Sequence, residues 1–348
     1  MQYGSMRMGT SVPGVEKPVS RLVLGTMIIA DGYVRSIRDT DVPIRKDRSF
    51  GLLDAVFALG CTAFDTAHGY AAGDSERGLG QWMAERGNRD NVVVITKGCH
   101  HNADRNRVTP FDLASDLHDS LARLQTDYID LYLLHRDDPL VPVGPIVEAL
   151  NEHLDAGRIR AFGGSNWTHR RIADANEYAQ AHGLAPFVAS SPNYGLAEQI
   201  QDPWGRGCVT ISGPQNREAR AWYAANQMPV LAYSSLARGL FSGRVTPENW
   251  SQTQSMLDQA CLTAYCHEPN FRRLERALAF AREKSASVPQ LVLAFMFGSG
   301  LDVFPIVGAA SGQEYLDNTK AFGVTLTEAE RSWLDLEAKD GPVGADRR

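Results

Sequence analysis

Long apolar runs are missing from this sequence: none approaches the ~18 residues a membrane-crossing helix needs. The segment 1–19 is polar, holds Gly and Pro, and lacks the apolar centre of a secretory signal peptide. Basic runs are missing as well, and the net charge is −6, which argues against nucleic acid or an anionic membrane as partner. Cysteine is sparse. The five (Cys61, Cys99, Cys208, Cys261, Cys266) are odd in number and form no CxxC pair, which argues for a reducing compartment rather than a disulfide framework. Low-complexity tracts and short repeats are absent too. The expectation is a cytoplasmic protein acting on a small molecule, with its oligomeric state left open.

What is present is apolar material, 43% of 348 residues, ample for one large core. It is spent in a repeated rhythm of short buried strands, at 22–25, 63–65, 92–97, 129–134, 161–165, 187–189, 229–234 and 303–307. Between them lie segments of helical spacing, such as Leu113, Leu117, Leu121, Leu124, or Ile146, Leu150, Leu154. Parallel strands need crossover connections, and eight of them with intervening helices predict an α/β fold, a (β/α)8 TIM barrel. The chain reads as a single barrel domain over 1–348: barrel about 20–322, N-terminal extension 1–19, C-terminal helix and tail 323–348. Thr109-Pro110 marks a helix start and Gly157 a helix end. Two connections, 26–45 and 241–269, are long enough to cover a ligand on the C-terminal face. Residues 341–348 read as a loose tail.

Asp65, Lys97 and His135 fall at strand ends, where barrel catalytic groups gather, and Tyr70 follows Asp65 by five residues. A lysine buried there needs an acid beside it, and Asp65 on the neighbouring strand suits. The quartet matches carbonyl reduction. A tyrosine keeps its proton at neutral pH, a nearby lysine cation makes it a better acid, and a neutral histidine donates to the growing oxyanion. For alcohol oxidation the same tyrosine is the base. His68, His100, His101, His135 and Cys99 also raise zinc, but their spacing lacks a helical pair or CxxC frame, so no metal is expected. Arg136-Asp137-Asp138 makes one rim polar and suggests a hydroxylated substrate such as a sugar or polyol. Whether Trp167, Trp204 and Trp250 line the pocket or pack outside is left open.

Ordered motifs from about residue 20 to 322 resemble the aldo-keto reductase family. They are Gly60-x4-Asp65-Thr66-Ala67-x2-Tyr70 with Ser75-Glu76-x2-Leu79-Gly80, the strand 130–134 leading to His135, and Gly157-Arg158-Ile159-Arg160-x2-Gly163-Gly164-Ser165-Asn166-Trp167. Tyr233-Ser234-Ser235-Leu236-Ala237-Arg238-Gly239-Leu240 follows, then Gly308 with Leu316-x-Asn318. The resemblance implies an enzyme, an NAD(P)-dependent oxidoreductase interconverting carbonyl and alcohol. Tyr70 would be its general acid/base, Lys97 the tuner, Asp65 the lysine's partner and His135 the orienting donor. It also implies that Ser165 and Asn166 hold the nicotinamide carboxamide and that Tyr233 stacks on its ring. Ser234, Leu236, Arg238 and Gly239 would wrap the pyrophosphate, Gly308 would belong to the turn that clamps the cofactor after the last strand, and Asn318, at the start of the last barrel helix, would bind near adenine.

Two departures stand out. Ser191 replaces the glutamine many members carry as a nicotinamide contact. The turn 308–314 has no Lys or Arg and ends on Glu314, which favours NAD slightly over NADP because a 2′-phosphate wants a cation. Two other functions stay open: a non-catalytic or regulatory nucleotide-binding barrel, and a lyase or isomerase using transient oxidation. The simpler roles of helix cap for Ser165-Asn166, and of plain turn residue for Gly308 and Gly312, also stay open.

Overall fold

The computed structural model describes residues 11–29, 46–205 and 207–339. Eight parallel strands close into a barrel in chain order: β1 (Val23–Gly25), β2 (Ala63–Asp65), β3 (Val93–Gly98), β4 (Ile129–Leu134), β5 (Ile159–Ser165), β6 (Ala189–Ser191), β7 (Val230–Ala232) and β8 (Val303–Val307). Leu24 of β1 pairs with Phe64 on one side and Val307 on the other, which completes the ring. Helices α1 (Lys46–Ala58), α2 (Asp74–Arg86), α3 (Pro110–Leu124), α4 (Val143–Asp155), α5 (His169–His182) and α6 (Arg217–Ala225) fill the first six connections. After β7 come α7 (Trp250–Thr253), α8 (Gln259–Tyr265), α9 (Glu268–Glu283) and α10 (Val288–Phe297), and after β8 come α11 (Gly312–Thr319) and α12 (Glu328–Leu334).

Side-chain alternation explains both the core and the site. Successive strand residues face opposite sides. Val23, Ala63, Val93, Ile95, Leu131, Leu133, Leu231 and Phe304 form an inner cluster, whereas Leu24, Phe64, Val94 and Tyr132 pack in the outer one with the helices. Continuing the inner rows by two residues reaches Asp65 on β2, Lys97 on β3, His135 after β4 and Tyr233 after β7, and by four from Ala161 reaches Ser165 on β5. On these five strands the apolar inner core ends on polar groups at the C-terminal mouth. At the other mouth Val12, Val15 and Val19 join the same cluster, so the segment before β1 plugs the barrel. Lys17 fastens that plug by an ion pair to Asp130 at 2.9 Å and a hydrogen bond to the Val92 carbonyl at 2.8 Å.

Local signals behave as expected at several ends. The Thr109 hydroxyl accepts from Asp112 N–H with Pro110 at the first helical position, and Gly157 takes φ +70° just past α4. β6 lies two residues later than the apolar run 187–189 suggests, since barrel pairing rather than hydrophobicity sets its limits. Gly163, Gly164 and Ser165 pair with Ala189, Ser190 and Ser191. The connection 241–269 is not simple loop but contains α7, α8 and the start of α9. Most of the connection 26–45, and the tail 341–348, lie outside the described residues.

Candidate active site

Lys97 is buried at the mouth and meets Asp65 Oδ1 at 2.6 Å, the Thr66 carbonyl at 2.8 Å and the Tyr70 hydroxyl at 3.4 Å. Burial is the largest influence on each group. It disfavours the lysine charge, yet Asp65 and Tyr70 outweigh it and hold the Lys97 pKa above its ordinary value. Burial likewise pushes the Asp65 carboxyl up against the pull of Lys97. The Tyr70 hydroxyl is also pushed above its ordinary value by burial, with Lys97 pulling the other way. The lysine therefore acts in the expected direction, but the net shift of the tyrosine is upward. His135 is held well below its ordinary value, by burial first and then by the Lys97 charge, so its ring is neutral at physiological pH. Its ring lies edge-on to Tyr70 at 5.6 Å and to His100 at 4.7 Å between centroids. Its buried Nδ1 has no hydrogen-bond partner among the described residues.

The Tyr70 loop is braced from behind. Ser75 Oγ bridges Thr26 Oγ1 at 3.0 Å and Thr66 Oγ1 at 2.9 Å, and buried Glu76 accepts from Thr96 Oγ1 at 2.6 Å. Arg123 of α3 donates to the His68 carbonyl at 2.9 Å and pairs with Glu76 at 3.2 Å. Beyond Tyr70 the chain turns through Ala71, Ala72 and Gly73, all at positive φ.

An elongated cavity of about 1770 Å³ begins at Asp65, Tyr70, Lys97 and His135. It runs past Ser165, Asn166 and Tyr233, then between the segments 234–245 and 306–318. Asn166 Nδ2 donates to the His135 carbonyl at 3.1 Å, and its Oδ1 accepts from Tyr233 Oη at 2.9 Å. Ser165 Oγ donates to the Ser191 carbonyl at 3.0 Å. The α5 helix is capped by Thr168 itself, which removes the capping role considered for Ser165-Asn166. Ser234, Leu236, Arg238, Gly239, Gly308, Glu314 and Asn318 all line the cavity. Ser191 does not; its hydroxyl is buried without a partner among the described residues.

The profile of the Aldo/keto reductase family matches residues 21–336. The chain belongs to that family. This reductase is 27% identical to norsolorinic acid reductase of Aspergillus flavus, over 98% of this chain and 82% of that protein. It is 31% identical to an aldo-keto reductase of Bacillus subtilis, covering 76% of this chain and 70% of the relative. An aldo-keto reductase of Klebsiella pneumoniae, solved in complex with NADPH, superposes with TM-score 0.66 at 26% identity, over 95% of both chains. Membership makes the reductase an NAD(P)-dependent oxidoreductase. The cavity agrees with that: it is elongated, larger than the ~300–1,000 Å³ of a single small-molecule pocket, and reaches the proton-bearing quartet at one end.

Some expectations change on the structure. Asn318 sits in the last turn of α11, not at the start of the helix after β8. The Glu314 carboxylate accepts from Ala310 N–H at 2.9 Å and so is engaged with its own turn, while Arg244, from the β7 side, lines the cleft. Gly312 packs within 2.7 Å, measured from an added Cβ, of Ala55 on α1, which gives it a packing role. Asp137 pairs with Arg171 at 3.2 Å and neither it nor Asp138 lines the cavity. Among the described residues no three metal-ligating side chains converge. His68 faces Asp119 at 3.1 Å, and Cys99 is fully buried. Of the tryptophans, Trp204 lines the cavity, Trp167 is wholly buried and Trp250 packs edge-on against Phe271. No helix among the described residues is long and apolar enough to cross a membrane.

Sequence reasoning missed two features. Asp258, which caps α8, also pairs with Arg238, whose guanidinium lies 5.0 Å from the Trp204 ring. That clamp joins the segment after β7 to the intervening helices, and only distant positions reveal it. The other is the inward turn of Arg136.

Proposed function

We propose that the reductase interconverts a carbonyl and an alcohol at the mouth of the cavity, with Tyr70 as general acid for reduction and general base for oxidation. The observation that carries this is the Lys97 ammonium held between Asp65 and the Tyr70 hydroxyl. Bound NAD(P)H supplies the hydride. Tyr70 Oη holds the proton that must reach the substrate oxygen, and Lys97 favours the phenolate left behind. Neutral His135 lines the cavity beside Tyr70, where its ring N–H is a donor for the developing oxyanion. The same geometry favours net redox turnover over a regulatory barrel, because all four groups converge; a lyase or isomerase would show no net consumption of nucleotide.

Along the cleft, Ser165, Asn166 and Tyr233 would meet the nicotinamide, and 234–239 with Gly308 the pyrophosphate. Asn318 would lie toward the adenine. Arg238 would act with Asp258 as its brace, and Ser191 through its carbonyl, which anchors Ser165. The argument for NAD weakens, since Glu314 serves its own turn and Arg244 reaches the cleft; we take the cofactor as NAD(P)H without a preference. The described fold supports one barrel domain, and the unbonded cysteines fit a reducing cytoplasm. The polar wall of His100, His101 and Arg136 supports a polar carbonyl substrate.

Tyr70→Phe keeps the ring and removes only the hydroxyl. Turnover should fall by at least ~10²-fold, the usual worth of a general acid–base group, with nucleotide affinity nearly unchanged. Near-normal turnover would remove Tyr70 from the mechanism.

A further inference from the structure

The cations lining the cavity differ in how their charge is met. Lys97 has Asp65 at 2.6 Å, Arg107 has Asp116 at 2.6 Å, and Arg238 has Asp258. Arg244 is exposed to water. Arg136 is different. It is only 4% exposed, lines the cavity, and forms no ion pair among the described residues. Its one side-chain hydrogen bond goes to the carbonyl of its own neighbour His135, at 3.3 Å. A buried charge without a counter-charge costs several kcal/mol, so such a group is kept only where something else meets it.

The surroundings exclude several things that might. The two acids that follow in sequence are committed elsewhere: Asp137 to Arg171, and Asp138 to Leu140 N–H at 3.1 Å. The Arg136 backbone is fixed, its carbonyl accepting from Trp167 Nε1 at 3.0 Å, so the residue is held at this wall. Its charge acts on both the Tyr70 and the Tyr233 hydroxyls and its side chain passes beside Gly207, which puts it at the Tyr70 end of the cavity rather than along the arm between 234–245 and 306–318 where the nucleotide phosphates would run. Beside it are His100 and His101. The buried Nε2 of His101 has no partner among the described residues. His100 Nδ1 donates to the His101 carbonyl at 2.7 Å, which leaves Nε2 as the acceptor of a neutral ring. Burial holds both histidines below their ordinary pKa, so neither adds charge. The wall thus offers one fixed positive charge and neutral hydrogen-bonding groups. That suits a monoanion with two oxygens better than a phosphate dianion.

We propose that Arg136 is a substrate-binding residue that pairs with an anionic group, and that the carbonyl substrate is an oxo-carboxylate. The inference deepens the function proposed above and rests on it for the position of the substrate carbonyl beside Tyr70. It replaces the hydroxylated sugar suggested by the sequence with a charged substrate, because the aspartates of that rim turn away from the cavity and the arginine turns in.

The test uses two isosteric pairs: benzoate against benzamide for binding to the enzyme saturated with NADP+, and 3- or 4-formylbenzoate against the matching formylbenzamide for turnover with NADPH. Benzoate should bind at least ~10-fold more tightly than benzamide, the worth of one charge-assisted pair. kcat/KM should favour the formylbenzoates by a similar factor, mainly through KM. In Arg136→Met both ratios should fall to near one, and benzoate should no longer raise Tm; Arg136→Lys should keep part of the preference. Equal binding of acid and amide by the wild type, or a preference that survives Arg136→Met, overturns the proposal. So does an Arg136→Met variant whose only change is weaker NADP+ binding, since the charge would then serve the nucleotide. If that variant does not fold, the wild-type ratios and Arg136→Lys decide. Benzoate selectivity should persist in Tyr70→Phe, which separates failure of this site from failure of the proton-transfer assignment.

Discussion

Lys97 keeps its charge where water does not reach because Asp65 lies 2.6 Å away, and that pair is what Tyr70 leans on. Burial is the largest influence on the Tyr70 hydroxyl and raises its pKa, the Asp65 charge adds to the rise, and the Lys97 cation is the main opposition, with Arg136 helping it. Lys97→Met deletes the main opposing charge and leaves burial and Asp65. Tyr70 becomes a weaker acid, so carbonyl reduction at pH 7 should slow while the basic limb of the kcat/KM profile moves upward. A deuterated nicotinamide isotope effect checks that hydride transfer limits the rate; an unshifted limb under that condition contradicts the electrostatic role of Lys97. Asp65 and Lys97 were legible in the sequence because each sits two positions beyond an inward apolar residue at a strand end, and Tyr70 through its spacing of five residues from Asp65. Arg136 was not legible in the same way. It was seen as part of a charged triplet, and nothing in linear order says that it turns in while Asp137 and Asp138 turn out.

At the scale of elements, the site depends on how closely α2 and α3 approach. A Cβ on Gly80 would lie 2.5 Å from the Arg123 carbonyl oxygen and 2.6 Å from the Leu124 Cα, both backbone atoms that cannot swing aside. Gly80→Ala must therefore push the end of α3 away, and Arg123 with it, which loosens its bonds to the His68 carbonyl and Glu76 behind the Tyr70 loop. We expect a loss of about 1–3 kcal/mol in stability, typical of overpacking, together with a lower kcat. Denaturant unfolding and steady-state rates check both; full stability with full activity would show that the helices have slack. The motif glycine was visible in the sequence, but its reason is a contact with residues more than forty positions away. The shift of β6 has a similar cause. Ser190 and Ser191 do not look like a buried strand, yet Ser190 Oγ bonds Tyr223 Oη at 2.8 Å and the strand pairs in register with β5. The helices α7 and α8 inside 241–269 have only four and seven residues, too short to show apolar periodicity, and only α8 carries a side-chain cap, from Asp258.

For the whole molecule, buried and half-buried histidines set the response to acid. His135 is held well below its ordinary pKa by burial and Lys97, His100 and His101 are lowered by burial, and His153 is lowered to about 4 by burial with Arg158 adding to it. Each is neutral in the folded protein where the unfolded chain, with an ordinary value near 6.5, takes up a proton. Folded values below unfolded ones mean stability that is present above about pH 6.5 and is lost as pH falls toward the folded values. Carboxyls work against this. Burial raises Asp335 to about 6 and also raises Asp65 and Asp137, so the folded state binds those protons first and gains stability as pH falls toward the ordinary carboxyl range. The Asp335 window opens only near pH 6, whereas the histidine window opens above it. Each proton of difference between the two states contributes at most about 1.4 kcal/mol per pH unit. Tm should therefore fall between pH 7.5 and pH 6, and the fall should flatten below pH 6 as the carboxyls offset it. Arg158 Nη1 donates to His153 Nδ1 at 3.0 Å, a contact that a glutamine oxygen can accept without titrating. His153→Gln should make the fall between pH 7.5 and 6 shallower, and Asp335→Asn should steepen the curve below pH 6. Thermal unfolding across that range, with and without each substitution, is the measurement. A Tm that holds constant or rises on acidification from pH 7.5 to 6 would mean that the histidines are not kept neutral by the fold.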